Sequence, residues 1–272
     1  TFTVHVVDTT GPVITLTGSD PVNLGTGDTY TEEGAVASDA VDGSFAATIG
    51  GDAVNTAAPG TYVVSYSAVD VAGNIATPVT RTVHVVDDNA PIVTVPADIT
   101  AEATSASGAT VPFIVSASDD VDGALAPICD FNSGDTFPLG PTLVTCIATD
   151  SATNVGTASF TITIEDTTVP VIDAHADESA EATSASGAVV TYTAPNAIDI
   201  VDGTVPATCL PASGSTFAIG STPVLCNYTD AHGNAAAQTS FTAMVTDNGA
   251  PVIDAHGDET AEATSALGAN VT

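Results

Sequence analysis

Aspartates that recur in step are the residues of this sequence best suited to chemistry, and that chemistry is the holding of a cation. DTTGP begins at Asp8, DDNAP at Asp87, DTTVP at Asp166 and DNGAP at Asp247, in steps of 79, 79 and 81 residues. VDG recurs at Val41, Val121 and Val201, and a DxxxN motif runs from Asp70 to Asn74, Asp150 to Asn154 and Asp230 to Asn234, each series stepping by 80. If each repeat brings its three motifs to one end, the first gathers Asp8, Asp39, Asp42, Asp70 and Asn74. The second gathers Asp87, Asp88, Asp119, Asp120, Asp122, Asp150 and Asn154, the third Asp166, Asp199, Asp202, Asp230 and Asn234, and Asp247 opens a fourth set. These aspartates are 15 of the 33 acids, set against one base, Arg81, and no lysine. Carboxylates crowded without a base repel one another unless a cation sits among them. Calcium suits the donors, since it takes about six to eight oxygens from carboxylates, amides and backbone, whereas zinc prefers His or Cys. The competing reading is that Asp and Asn stand there as turn residues whose side chains bond local backbone, with no metal bound.

Other reactive residues carry weaker signals. Asp173, His175 and Asp177, repeated as Asp254, His256 and Asp258, would share one face of a strand; the matching Thr94, Pro96 and Asp98 include no histidine, which favours a solvated strand face. His5 and His84 fall in closing strands and read as structural. The cysteines fall as Cys129 with Cys146 and Cys209 with Cys226, each pair 17 apart, which points to one disulfide per unit and an oxidising, extracellular compartment. Zinc binding by these four lacks the CxxC spacing it would need. No GxSxG, HExxH or phosphate-cradling glycine loop is present, so no enzyme is expected. Asn227 in NYT and Asn270 in NVT have the form of glycosylation acceptors.

The elements that must position these residues are strands. Valine, isoleucine, threonine and alanine dominate, aromatics are 5%, Trp is absent, and no segment sustains a helical period. The expected class is all-β: tandem immunoglobulin-like Greek-key β-sandwiches of about 80 residues per repeat, with small aliphatic cores. Three whole repeats are predicted at 8–86, 87–165 and 166–246. Residues 1–7 match the closing strand at 80–86, and 247–272 match the opening strands of a further repeat, so the chain reads as a piece of a longer array. In 87–165 the strands are predicted at 92–95, 98–103, 110–117, 128–131, 136–138, 142–149 and 157–164, with the cysteines on the fourth and sixth.

Repeats 87–165 and 166–246, with their DxxxP openings, AEATSASGA segments, DxVDG loops, paired cysteines and the ends ATDSATN and YTDAHGN, resemble HYR (hyalin repeat) domains. Repeat 8–86, with GSDPVNLGTGDTYTEEGAVASDAVDG and APGTYVVSYSAVDVAGN, resembles the cysteine-free immunoglobulin-like domains of bacterial and archaeal surface proteins, with Ile49 and Tyr66 where the cysteines would be. The resemblance implies extracellular adhesion, stalk or surface-layer roles. The expected function is a structural segment of a prokaryotic cell-surface assembly (surface layer, filament or stalk), stiffened by calcium at the repeat junctions. Its expected partners are other copies or repeats of the same protein. The alternatives are an adhesin binding glycans or another cell, and an accessory segment of a large secreted enzyme. A net charge of −32 repels nucleic acid, and no apolar run of 18 residues exists to enter a membrane directly.

Overall fold

The structure is a computed structural model that describes residues 1–255, 257–263 and 266–267. The described residues form strands and turns and no helix. They fall into two compact units, Thr1–Glu165 and Asp166–Thr272.

The first unit holds two sandwiches. In the first, Val13–Leu16, Ala35–Asp39 and Gly43–Ala46 make a three-stranded sheet that packs on a four-stranded one of Val22–Gly25, Val79–Val86, Gly60–Ser67 and Thr48–Gly51. The second repeats the plan with Ile92–Thr94, Ser116–Asp119 and Gly123–Leu125 in one sheet and Ile128–Cys129, Gly140–Thr149, Val155–Glu165 and Ile99–Glu102 in the other. In the second unit the strands are Val171–Ile172, Asn196–Asp199 and Gly203–Pro206, then Glu178–Glu181, Thr239–Thr246, Gly220–Asn227 and Thr208–Leu210. Each larger sheet pairs an opening strand in parallel with the closing strand, as Ile99–Glu102 does with Ile162 to Glu165. Alternation drives these choices: in VTRTVHVV, Arg81, Val83 and Val85 are buried while their neighbours are not.

Two strand expectations are corrected. The predicted strand 110–117 is interrupted, pairing only at Ala109–Thr110 and resuming at Ser116–Asp119, because Pro112 cannot donate to a ladder. An additional strand, Gly123–Leu125, folds back across the VDG turn, where Asp119 Oδ1 accepts the Val121 and Asp122 N–H groups and Gly123 takes a positive φ. Residues 1–7 form no strand and are exposed, and the described residues of 247–272 form none either. No described strand pairs with either stretch.

The cores differ in a way that composition hides. In the second repeat Phe113 packs edge-on against Phe160 at 5.1 Å and Phe137 at 6.5 Å, so that core is aromatic at its centre rather than purely aliphatic. Cys129 lies directly opposite Cys146, and Cys209 opposite Cys226, so each disulfide joins neighbouring strands of the larger sheet and does not bridge the two sheets. In the first repeat the same register sets Ile49 opposite Tyr66, as the sequence alignment expects.

There, too, Arg81 stands opposite Val64, where the other repeats set Phe160 opposite Val144 and Phe241 opposite Val224. The chain's one base is 1% exposed. Its Nε donates to Ser19 O at 3.1 Å, its Nη2 to the carbonyls of Thr17 and Gly34, and its Nη1 to Glu32, over the Tyr66 ring. Burial works against ionisation of Glu32, but the Tyr30 and Tyr66 hydroxyls, the Gly34 N–H and the Arg81 charge hold its carboxyl below the usual range.

Candidate metal centre

Each candidate site starts from a turn that fixes one carboxylate. In the DxxxN hairpin the Asn74 N–H donates to Asp70 Oδ1 at 2.7 Å and its side-chain amide to Asp70 Oδ2 at 2.7 Å; Asn154 with Asp150 and Asn234 with Asp230 do the same. Burial opposes ionisation of Asp70 and Asp230, yet these hydrogen bonds hold both below the ordinary aspartate value. The same amides reach the linker: Asn154 Nδ2 donates to Asp87 O at 3.2 Å and Asn234 Nδ2 to Asp166 O at 3.0 Å. The loop asparagines Asn74, Asn154 and Asn234 therefore position carboxylates.

The VDG aspartate completes the stitching. Asp42 Oδ2 accepts from Val71 N at 2.9 Å, Asp122 Oδ2 from Ser151 N at 2.7 Å, and Asp202 Oδ2 from Ala231 N at 3.1 Å. Linker, DxVDG turn and last hairpin, distant in sequence, thus converge in every repeat. Asp8, Asp42 and Asp70 bring carboxylate oxygens within 4.8 Å of one another, as do Asp87, Asp122 and Asp150. A further set shares the linker residue: Asp87 with Asp119 and Asp120, and in the third repeat Asp166 with Asp199 and Asp230, all three of them buried.

The electrostatics of these sets are unbalanced. Oδ2 of Asp8, Asp87, Asp119, Asp166 and Asp199 is buried and accepts no hydrogen bond. Burial raises Asp87 above its ordinary value, and the charges of Asp119, Asp150 and Asp120 add to this against the Asn89 N–H. Burial likewise raises Asp166, with Asp199 and Asp230 adding to it and Thr168 N–H and His232 opposing. Arg81 is sequestered in a core, so no lysine or arginine is on the surface to relieve them.

Several expected ligands lie elsewhere. Asp88 packs on the preceding repeat, against Gly25, where an added Cβ would stand 2.2 Å from its Oδ1 and would displace that carboxylate. Beside it Asn89 donates to Thr26 O at 3.2 Å and Oγ1 at 2.9 Å, and to Asp120 Oδ2 at 3.3 Å, joining the two sandwiches of the first unit. Asp39 closes its own turn through Val41 and Asp42 N–H groups and is outside the Asp8 set. Asp247 is exposed, accepts from Gly249 N and joins no set among the described residues.

The stretch 173–177 is not a strand, so Asp173, His175 and Asp177 do not share a face as alternation assumed. His175 packs on the Phe241 ring at 4.1 Å, while Asp177 accepts from Thr242 N. Asn227 is exposed and accepts from Gln238 at 2.9 Å; Asn270 and His256 lie outside the described residues. One residue that sequence reasoning passed over stands at a site: His232 Nδ1 is 3.0 Å from Asp166 Oδ2 and 3.7 Å from Asp202 Oδ2. The available signal was the loop itself, DAHGN where the other repeats read DVAGN and DSATN.

If the Asp87 set holds calcium, an Asp87→Asn substitution is expected to give opposite results in two conditions: with chelator it relieves repulsion and raises the melting midpoint by a few degrees, and with calcium it lowers it. The pH dependence has a fixed sign. Because the folded value of Asp87 is raised, its own contribution to the stability of the ion-free fold is present at low pH and is lost as pH rises through that value, opposite in sign to Asp70 and Asp230. Thermal melts at neutral and mildly acidic pH check both, and a midpoint that moves the same way with and without calcium would count against the assignment.

Comparison with known proteins fits this anatomy. The profile described as "Bacterial surface protein, Ig-like domain" matches residues 14–85, and the HYR domain profile matches 86–164 and 165–245. Hyalin from Strongylocentrotus purpuratus is 33% identical over 90% of this chain and 22% of its own length; hyalin from Lytechinus variegatus is 30% identical over 93% and 50%. The chain therefore spans about half or less of these relatives. A serine-rich adhesin for platelets from Staphylococcus aureus (strain MRSA252) is 33% identical over 42% of the chain and 9% of its own length. Among solved structures, protocadherin gamma B2 cadherin domains 1–5 give a TM-score of 0.37 at 14% identity, covering 89% of this chain and 61% of that one. The titin I-band fragment I67–I69 gives 0.34 at 9%, covering 89% and 100%. With two tandem HYR matches over more than half its length and a surface-protein immunoglobulin-like match before them, this extracellular, cell-surface chain belongs to the HYR-domain family.

Proposed function

We propose that the segment is structural, part of a surface layer, filament or stalk built with other copies or repeats, in which calcium held at the acidic end of each sandwich stiffens the array. The observation that carries this reading is the recurrence of one orphan: Oδ2 of the linker aspartate, Asp8, Asp87 or Asp166, is buried without a hydrogen bond in all three repeats. An unpaired buried carboxylate oxygen is costly, and three at equivalent positions call for one shared partner. The donors are carboxylate oxygens in the Asp8 and Asp87 sets, which fit a hard cation. An ion there would tie the linker to the turns of the sandwich it enters and so restrict the linker.

Calcium titration against the melting midpoint tests this. Saturation at about 100 times the dissociation constant is expected to add about 2.7 kcal/mol per occupied site, reversed by chelator. Coincident melting curves with calcium and with chelator would remove calcium from the reading and leave the turn-residue account.

Similarity to an adhesin over 42% of the chain supports a second reading, in which the array itself contacts glycans or another cell. The tyrosines favour the first. Tyr66 is fully buried, and the Tyr192 ring packs on Phe241, so neither offers a free sugar-stacking face.

A further inference from the structure

We infer that the third repeat carries a second kind of metal site, for a divalent transition-metal ion of the zinc class, built from Asp166, Asp202 and His232. The three offer ligand atoms within 4.8 Å of one another. The spacings from His232 Nδ1, 3.0 Å to Asp166 Oδ2 and 3.7 Å to Asp202 Oδ2, bracket the edge of about 3.3 Å that a tetrahedron with bonds of about 2.0–2.1 Å requires. Asp166 supplies an independent sign of a missing partner. Its side chain is fully buried, and its Oδ2 accepts no hydrogen bond even though His232 Nδ1 is so close. A metal ion bound there would take one lone pair from Asp166 Oδ2 and one from Nδ1 of the neutral His232 imidazole.

Local structure holds each donor in place. Asp202 Oδ2 is fixed by the Ala231 N–H, the His232 N–H donates to Asp230 Oδ1 at 2.9 Å, and Asp166 Oδ1 accepts from Thr168 N at 3.2 Å. The imidazole is 33% exposed, which gives an ion a path in and leaves room for a water ligand. Donor type sets the selectivity. Calcium takes oxygen and gains little from imidazole, whereas zinc-class ions prefer it. The equivalent positions in the first two repeats are Ala72 and Ala152, so the nitrogen donor belongs to the third repeat alone. The inference does not rest on the calcium reading, although Asp166 belongs to both groups, with Asp199 and Asp230 in one and with Asp202 and His232 in the other, so in this repeat the two ions would compete for its carboxylate.

Equilibrium dialysis of the whole chain against zinc chloride, in excess calcium, tests this. The wild type is expected to retain one zinc ion more than His232→Ala or His232→Gln, whose affinity at this site falls by about 100-fold or more, beyond the range for losing an outer-shell partner. Cobalt(II) is expected to give a visible absorption band that both variants lose, and Ala152→His to add one further ion in the second repeat. Equal zinc retention by wild type and both folded variants, with circular dichroism unchanged, would reduce His232 to an ion pair with Asp166 and overturn the inference. Calcium counted in the same samples keeps the two readings apart: calcium lost with zinc retained sinks only the first, and the reverse sinks only this one.

Discussion

Replacing Arg81 by methionine is expected to lower the stability of the first repeat by about 3–5 kcal/mol, the usual cost of removing one partner from a buried ion pair. The size follows from what is left behind. Glu32 loses its only cationic partner, and the carbonyls of Thr17 and Ser19 lose the guanidinium that satisfies them. Tyr66 loses the cation over its ring. The damage is confined to one sandwich, because the other two place Phe160 and Phe241 at the same register position. Hydrogen exchange followed by peptide on the whole chain reads this directly: amides of Tyr62 to Tyr66 and Thr82 to Val85 exchange at least about a hundredfold faster, and the Cys146 and Cys226 strands do not change. Removing both charges, Arg81→Met with Glu32→Met, is expected to recover part of the loss, since no ionised group is then stranded. A single variant as stable as wild type would show that the guanidinium contributes little beyond filling space.

Arg81 also marks the limit of what sequence reasoning could reach. The repeat, its register and the convergence of three acidic motifs were legible because each left a periodic trace: Asp87, Asp122 and Asp150 recur as Asp8, Asp42 and Asp70. The placement of Ile49 opposite Tyr66 was legible for the same reason. What was not legible breaks the period. Arg81 occupies an inward position that alternation assigns to an apolar side chain, and only the structure places Glu32, 49 residues earlier, against it. His232 replaces a small residue in a turn, and the pattern DxxxN ignores that position. Asp88 reads as one more linker acid, yet the space left by Gly25 draws it to the preceding sandwich. Even the strand lost between Thr110 and Ser116 follows from Pro112, a local signal that the apolar run around it outweighed.

Reduction is expected to act in the complementary places, lowering the stability of the second and third repeats by about 3 kcal/mol each and leaving the first as it was. The bonds Cys129–Cys146 and Cys209–Cys226 each close a loop of 17 residues, and the chain-entropy cost of that loop in the unfolded state sets the magnitude. Their location explains why the fold would survive. Each bond links strands already paired in the larger sheet, so the packing of Phe113, from the stretch between Ala109–Thr110 and Ser116–Asp119, on Phe160 of that sheet does not depend on it. Cys146 and Cys226 are fully buried, so reduced thiols would remain as small apolar groups in an intact core. Melting with and without reductant, read by exchange in each repeat, checks this, and the double variant Cys129→Ala with Cys146→Ala should reproduce the loss in the second repeat alone. If reductant also destabilised the first repeat, its stability would depend on its neighbours, and the independence argued from Arg81 would fail with it. If no repeat responded, the stability of the HYR sandwiches would rest on their phenylalanine cores and, where calcium binds, on the acidic ends.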